Sequence, residues 1–435
     1  MKTFHITDQA IYLPAVNSPF AKDVCKPLPE GRRFPASIDV KDLNFWEPNK
    51  LFYYPHILHS VGAHKFGDWP NNAVTQTDAN QVQIIGDSGG YQLGTGAIKG
   101  YSDLKKGIAA ESAKVIWSKA HSLRNWVMTW SETFTSAAMT LDVPLWATTP
   151  KSQSPFAKCD HEQIMDMNQQ SIDFIKFYAQ PDSKWINVIH GLDLHSTKVW
   201  WDRFKADKFS GWAMAGGAGT RGGLYQMLST LLMMRDDGGF DESTEYLHVL
   251  GVSTPKWAVV LTELQKQLRK HSPALQVTFD SSSPFQEGMR YEVACIPPTY
   301  GSNESDWVIG TDKSIQGHKY VGSNTLFKYD ASPLGKIMDM GHLNCKGNAN
   351  SKTNFDSLSR LMLVNHNVWV YLDAFERANQ AVRSSDKLDL VPNSFLEILD
   401  IVQEAFGEVD WQSFLLKHKA QLDKFEKSDY DQAVA

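Results

Sequence analysis

Six short apolar runs constrain this chain more than any other feature: "VQIIGDSGG" (82–90), "AAMTLDVP" (137–144), "KWINVIHG" (184–191), "GWAMAGGAG" (211–219), "YLHVLGVS" (246–253) and "QVTFDSSS" (276–283). Most end in a small or polar residue and lead into a stretch with helical spacing. A strand that is apolar on successive residues must be covered on both faces, which is the condition of a parallel sheet flanked by helices. Between the runs, positions such as Ile164, Met167, Ser171, Ile172 and Ile175 recur with the period of one helix face. The alternation admits two α/β architectures, a TIM (β/α)8 barrel or an open doubly wound sheet.

The polar residues at the ends of the runs separate these two. Asp87, Asp142, His190, Gly216, Gly251 and Asp280 each stand at the carboxyl end of a different strand. An eight-stranded barrel gathers all its strand ends at one mouth, whereas an open sheet leaves several of them far apart. Any one Asp or Gly after a strand is most simply a helix cap or a turn residue. Six in series point to a site, and therefore to the barrel. A chain of 435 residues, 42% of them hydrophobic, accommodates such a barrel with insertions.

The pentapeptide GDSGG around Ser88 also surrounds the nucleophile of trypsin-like proteases, but that reading fails. Those enzymes carry their His and Asp before the serine, on about a hundred residues of β-barrel. Here the preceding histidines, His5, His56, His59 and His64, have no such setting. The net charge of −6 argues against coating nucleic acid by bulk attraction, so any polyanion must meet a local patch. Cys25, Cys159, Cys295 and Cys345 show no paired spacing, and the first residues lack a secretory pattern. No apolar run approaches the roughly 18 residues of a membrane helix. The expectation is a cytoplasmic protein without membrane contact, in a bacterial or phage-infected cell.

Taken in order, "DSGGYQ" (87–92), "LDVP" (141–144), "VIHG" (188–191), "GWAMAGG" (211–217), "VLGVSTP" (249–255) and "FDSSSP" (279–284) resemble the strand-end signatures of the guanine transglycosylase superfamily. The resemblance runs from about residue 80 to about residue 385. That superfamily comprises the tRNA-guanine transglycosylases and the DpdA-type enzymes that insert 7-deazaguanines into DNA. It implies a base-exchange glycosyltransferase with Asp280 as nucleophile and Asp87 as general acid–base. It further implies that Ser88, Asp142, His190, Gly216, Gly217 and Gly251 surround the base, with Tyr91 and Leu250 sandwiching it. The chemistry suits these residue types. A carboxylate can hold a sugar covalently between two displacements. A carboxylate is also the natural acceptor for the N1–H and N2–H₂ edge of guanine, and backbone N–H groups beside glycines suit O6. The two glycines of GDSGG are expected to let the backbone approach a flat ligand.

The chain departs from its relatives at three places. His190 stands where the tRNA enzymes carry Gln. Their zinc motif, three cysteines and a later histidine, is reduced to His342, Cys345 and His366, which leaves two readings open: three ligands of a structural zinc site whose fourth is unidentified, or a metal-free loop whose His366 caps a packed helix. Met340 replaces the first cysteine, and its thioether is a poor zinc partner. No organic cofactor is expected. Finally, the Pro-Thr-Arg run that grips tRNA is replaced by Pro284, Phe285 and Gln286, and residues 312–352 hold six lysines against three aspartates. These changes favour DNA, with Phe285 either a wedge at an unstacked step or a residue packed inside the protein. Three readings follow: a DNA-guanine transglycosylase taking a free 7-deazaguanine base of preQ0 type, the same chemistry on tRNA, and an inactive base-binding subunit. A homodimer is compatible with each. The expected organisation is a barrel with an N-terminal extension over 1–330, a zinc-subdomain-like insertion at 331–352, a barrel-closing helix at 353–384 and a helical appendage at 385–435.

Overall fold

The computed structural model describes residues 7–78, 81–149, 152–346 and 353–433. Eight strands form one sheet in which every neighbour is parallel: β1 (Ile11–Pro14), β2 (His56–Ser60), β3 (Gln83–Asp87), β4 (Ala137–Met139), β5 (Trp185–Ile189), β6 (Gly211–Met214), β7 (Tyr246–Val249) and β8 (Gln276–Ser281). From β2 to β8 each strand pairs with its sequence neighbour, and β1 pairs with β8, with Leu13 opposite Asp280. The ring meets where β1 runs out beside β2. There Ala15 bridges to Leu58, and the Val16 N–H donates to the Leu58 carbonyl at 2.9 Å. The architecture is an α/β TIM barrel.

The pleat explains why the strands read as unbroken apolar runs. Alternate residues Ile11 and Leu13, Ala137 and Met139, Ile186 and Val188, and Ala213 and Ala215 fill the barrel interior. Their neighbours Tyr12, Trp212, Met214, Leu247, Val249, Val277 and Phe279 face the surrounding helices. All six expected strands are present. The two that the sequence did not announce are β1 and β2: "IYLP" is four residues long and ends in Pro, and "HILHS" carries two histidines.

Helices Ala110–Ser118 and His121–Phe134 follow β3, and His161–Tyr178, Leu194–Phe204, Gly223–Asp236 and Pro255–Leu268 follow β4 to β7. The helix His161–Tyr178 starts at a reciprocal cap between Asp160 and Gln163, and it buries Ile164, Met167, Ser171, Ile172 and Ile175. After β8 the chain forms an antiparallel pair, Ala294–Ile296 with Gly310–Asp312, before the 27-residue helix Ser357–Arg383. Two buried asparagines of that helix hold backbone: Asn365 donates to the Leu43 carbonyl, and Asn367 to that of Val293, both at 3.0 Å. Of the expected insertion, residues 347–352 lie outside the described residues.

The C-terminal helices Asn393–Ala405 and Trp411–Ala433 dock on the outside of the barrel. Trp411 Nε1 donates to Asp236 at 2.7 Å, and the Lys256 ammonium lies over the Phe425 ring at 4.6 Å. Among the described residues, no helix is long and apolar enough to cross a membrane.

Candidate active site

A cavity of about 450 Å³ opens at the carboxyl ends of the strands. Its floor is the top of the barrel interior, with Ala15, Leu58, Met139, Val188 and Ala215. Asp87, Asp142 and Asp280 stand in its wall with His190, Gly216, Leu250 and Gly251, and Tyr91 lies at the rim. The barrel thus brings to one place three carboxylates from β3, β4 and β8.

Asp142 is held from two sides. The Ser88 hydroxyl donates to Oδ1 at 2.8 Å, and His190 Nε2–H donates to Oδ2 at 2.9 Å. The loop that carries Asp142 is pinned by buried Asn168, which accepts from the Val143 N–H and donates to the Val143 carbonyl, each at 3.0 Å. Two singly engaged oxygens leave lone pairs on Asp142 for a further donor. Ser88 itself is buried behind Asp142 and does not line the cavity.

The glycines of GDSGG serve the protein's own packing. Gly89 has φ +83°, and a Cβ there would lie 2.8 Å from Gly62 Cα. A Cβ on Gly90 would come within 2.4 Å of Asp142 Oδ1. Gly89 thus makes room for the β2 loop, while Gly90 both lies against the Asp142 carboxylate and lines the cavity.

Asp87 closes β3 and accepts from the Gly89 N–H at 3.1 Å. Burial pushes its pKa up to about 6; the Ser60 hydroxyl and the Gly89 N–H pull it down, and the Asp142 and Asp280 charges push it further up. Asp280 is oriented from β7: the Gly251 N–H donates to its Oδ1 at 3.1 Å, and Val252 N–H to its backbone carbonyl at 2.7 Å. Gly251 thus positions Asp280 besides lining the cavity.

Gly216 and Gly217 divide. Gly216 lines the cavity with φ +58°, whereas the Gly217 N–H is taken by the Gly191 carbonyl at 2.7 Å. Tyr91 is 66% exposed, its ring 5.8 Å from that of Trp146, and Leu250 packs on the interior cluster. Trp146, Arg221 and Asn17 also line the cavity. Nothing in the sequence marked them: Trp146 and Arg221 lie just beyond the quoted runs, and Asn17 follows the unannounced strand β1. His248 is likewise new: it is fully buried in β7, its Nε2 3.3 Å from Asp280 Oδ1. A lone imidazole in an otherwise apolar strand was the available signal.

The structure does not assemble His342, Cys345 and His366. Both His366 ring nitrogens are engaged, Nδ1 with Ser332 Oγ at 2.8 Å and Nε2 with the Cys295 carbonyl at 3.1 Å. His342 Nδ1 accepts from the Asp339 N–H in a reciprocal helix cap. Among the described residues no group of three or more His, Cys, Asp or Glu is placed to hold a metal ion.

A guanidinium ties that region together. Arg32 reaches both oxygens of Asp356 at 2.8 and 3.0 Å, the Ser359 hydroxyl at 2.9 Å and the His342 carbonyl at 2.8 Å. Burial would raise the Asp356 carboxyl, but Arg32 holds it far below the usual range. Arg32→Met is accordingly expected to lower the unfolding free energy by about 2 kcal/mol, read by denaturant titration, because Asp356, Ser359 and the His342 carbonyl lose the charged donor they share. An unchanged midpoint would remove Arg32 as the tie.

Phe285 is fully buried, with its ring edge-on to Phe20 at 5.5 Å. It is a core residue, and no part of it reaches a nucleic acid as a wedge. Of the six lysines in 312–352, Lys328 is paired with Asp312 at 3.3 Å and Lys319 lies over the Tyr320 ring at 4.8 Å. Lys352 lies outside the described residues.

No family model matches this chain, and no curated protein matches it significantly.

Proposed function

We propose that this protein is a base-exchange transglycosylase that replaces guanine in DNA by a 7-deazaguanine base, through a covalent bond between Asp280 and the sugar. The observation that carries the reading is the convergence of Asp87, Asp142 and Asp280 on one cavity with an apolar floor and an aromatic rim. Three buried or half-buried carboxylates are costly to gather without a role.

Each carboxylate sits in surroundings suited to a different task. Asp142, with Ser88 and His190 fixing its plane, accepts the N1–H and N2–H₂ edge of guanine. Asp280 uses the oxygen not held by Gly251 to attack C1′ as the old base leaves. Asp87, with its pKa near 6, gives a proton to the departing base nitrogen and takes one from the incoming base. Tyr91 stacks on the base, worth about 1–3 kcal/mol. The preference for DNA rests on Pro284, Phe285 and Gln286 in place of a tRNA-gripping run. A base must leave its stack to reach the cavity, at a cost of a few kcal/mol, so single strands should react faster than duplex.

The test is incorporation of labelled 7-deazaguanine base into single-stranded DNA, duplex DNA and tRNA. Labelling of DNA, fastest in single strands, is expected. Labelling confined to tRNA would replace the DNA substrate, and no labelling of any of the three would return the chain to a base-binding subunit.

Gly90→Ala probes the base site separately. Alanine suits the first turn of a helix, so the variant should fold, but its Cβ displaces the Asp142 carboxylate. Misdirecting a carboxylate that accepts from the base costs about 1.5–3 kcal/mol per charged hydrogen bond, at least roughly 10-fold in affinity. Calorimetric titration with free guanine should register such a loss; equal affinity would detach Asp142 from base binding.

A further inference from the structure

Behind Asp280, on the side away from the cavity, lies the fully buried imidazole of His248. Its Nδ1 is 2.9 Å from Thr278 Oγ1, and its Nε2 is 3.3 Å from Asp280 Oδ1 with no hydrogen-bond partner of its own among the described residues. A bare nitrogen lone pair facing a carboxylate would be repelled, so the proton sits on Nε2 and Nδ1 accepts from the Thr278 hydroxyl. Asp280 Oδ1 therefore accepts from the Gly251 N–H at 3.1 Å and has a second N–H, that of His248 Nε2, 3.3 Å away and off the line of a hydrogen bond. Oδ2 is the oxygen left to react.

We infer that His248 is a positioning residue that governs the second of the two displacements, the release of the sugar from Asp280; this rests on the covalent mechanism proposed above. In the first step the Oδ2 lone pair bonds to C1′, the C1′–N9 bond breaks, and the old base leaves with that electron pair and gains a proton. Oδ1 then becomes the carbonyl oxygen of an ester. In the second step the incoming base loses its N9 proton, bonds to C1′, and the C1′–Oδ2 pair returns to the carboxylate. Donors on Oδ1 stabilise the charge that reappears there, so they favour departure of Asp280 from the sugar. The same donors lower the basicity of the free carboxylate and do not help it attack.

Removing the donor should therefore slow breakdown of the covalent intermediate more than its formation. His248→Phe keeps a buried ring and loses the N–H; His248→Gln keeps a donor near the Nε2 position; Thr278→Val preserves shape but removes the hydroxyl that anchors Nδ1, so the ring is no longer held toward Asp280. Exchange should fall about 10- to 10²-fold in His248→Phe, less than for a lone oxyanion donor because Gly251 remains. At the same time the fraction of enzyme caught as a denaturation-resistant DNA adduct should rise from minor to predominant. Thr278→Val should shift both readouts in the same direction, and His248→Gln should restore them. A merely structural role would lower exchange without raising the adduct, and that result in folded His248→Phe or Thr278→Val overturns the inference. If His248→Phe does not fold, Thr278→Val alone decides by the same criterion. Wild-type protein that shows neither exchange nor adduct would instead refute the covalent mechanism.

Discussion

Asp280→Asn is expected to abolish base exchange and to leave no covalent nucleic-acid adduct, while the protein folds as before. The amide has the carboxylate's shape, and its oxygen can still accept from the Gly251 N–H that now meets Oδ1 at 3.1 Å. What disappears is the anionic lone pair that attacks C1′. Loss of a nucleophile that works in concert with the rest of its site lowers rates by on the order of 10⁶-fold. Denaturing electrophoresis of a reaction with labelled DNA reads adduct, and nucleoside analysis of the product reads exchange. A variant that retains wild-type exchange would remove Asp280 from the chemistry, whatever the rest of the site does.

The second large effect concerns Asp87→Asn, which should bind base and DNA normally but exchange about 10²- to 10⁴-fold more slowly. Because burial raises Asp87 to about 6, its protonated form declines above that pH. Adduct formation, which needs the acid, should fall with rising pH above 6 in the wild type and lose that dependence in the variant. The same shift fixes the sign of a stability effect. Asp87 binds its proton more tightly folded than unfolded, where a carboxyl titrates near ~3.9. Its contribution to stability is thus lost as pH rises from about 4 through about 6. Asp87→Asn should raise Tm at pH 8 and change it little at pH 4. A variant with wild-type exchange and an unaltered pH profile would reassign the proton transfer to another group.

Strands β3 to β8 were legible because both faces of a barrel strand are buried, which writes a run of apolar residues into the chain. The polar residues that end those runs were legible for the same reason: a strand end is a local event. Their shared cavity followed from topology, since every strand points the same way and all ends meet at one mouth. Strand β1, four residues closed by Pro14, and β2, with His56 and His59 inside it, carry too little of that pattern and were visible only as parts of the ring.

What the tertiary structure alone decided are partnerships between residues distant in the chain. Ser88 and His190 both spend a hydrogen bond on Asp142, from 54 and 48 residues away. Gly90 is a glycine because of that same carboxylate. His366 is committed to Ser332 and Cys295, and Arg32 to Asp356, 324 residues on. Phe285 lies against Phe20 in the core. The order of residue types along a strand states which face is buried and where the strand stops. It does not state which side chain satisfies a buried donor, because hydrogen-bonding demand is met by whichever group the closed barrel brings within about 3 Å.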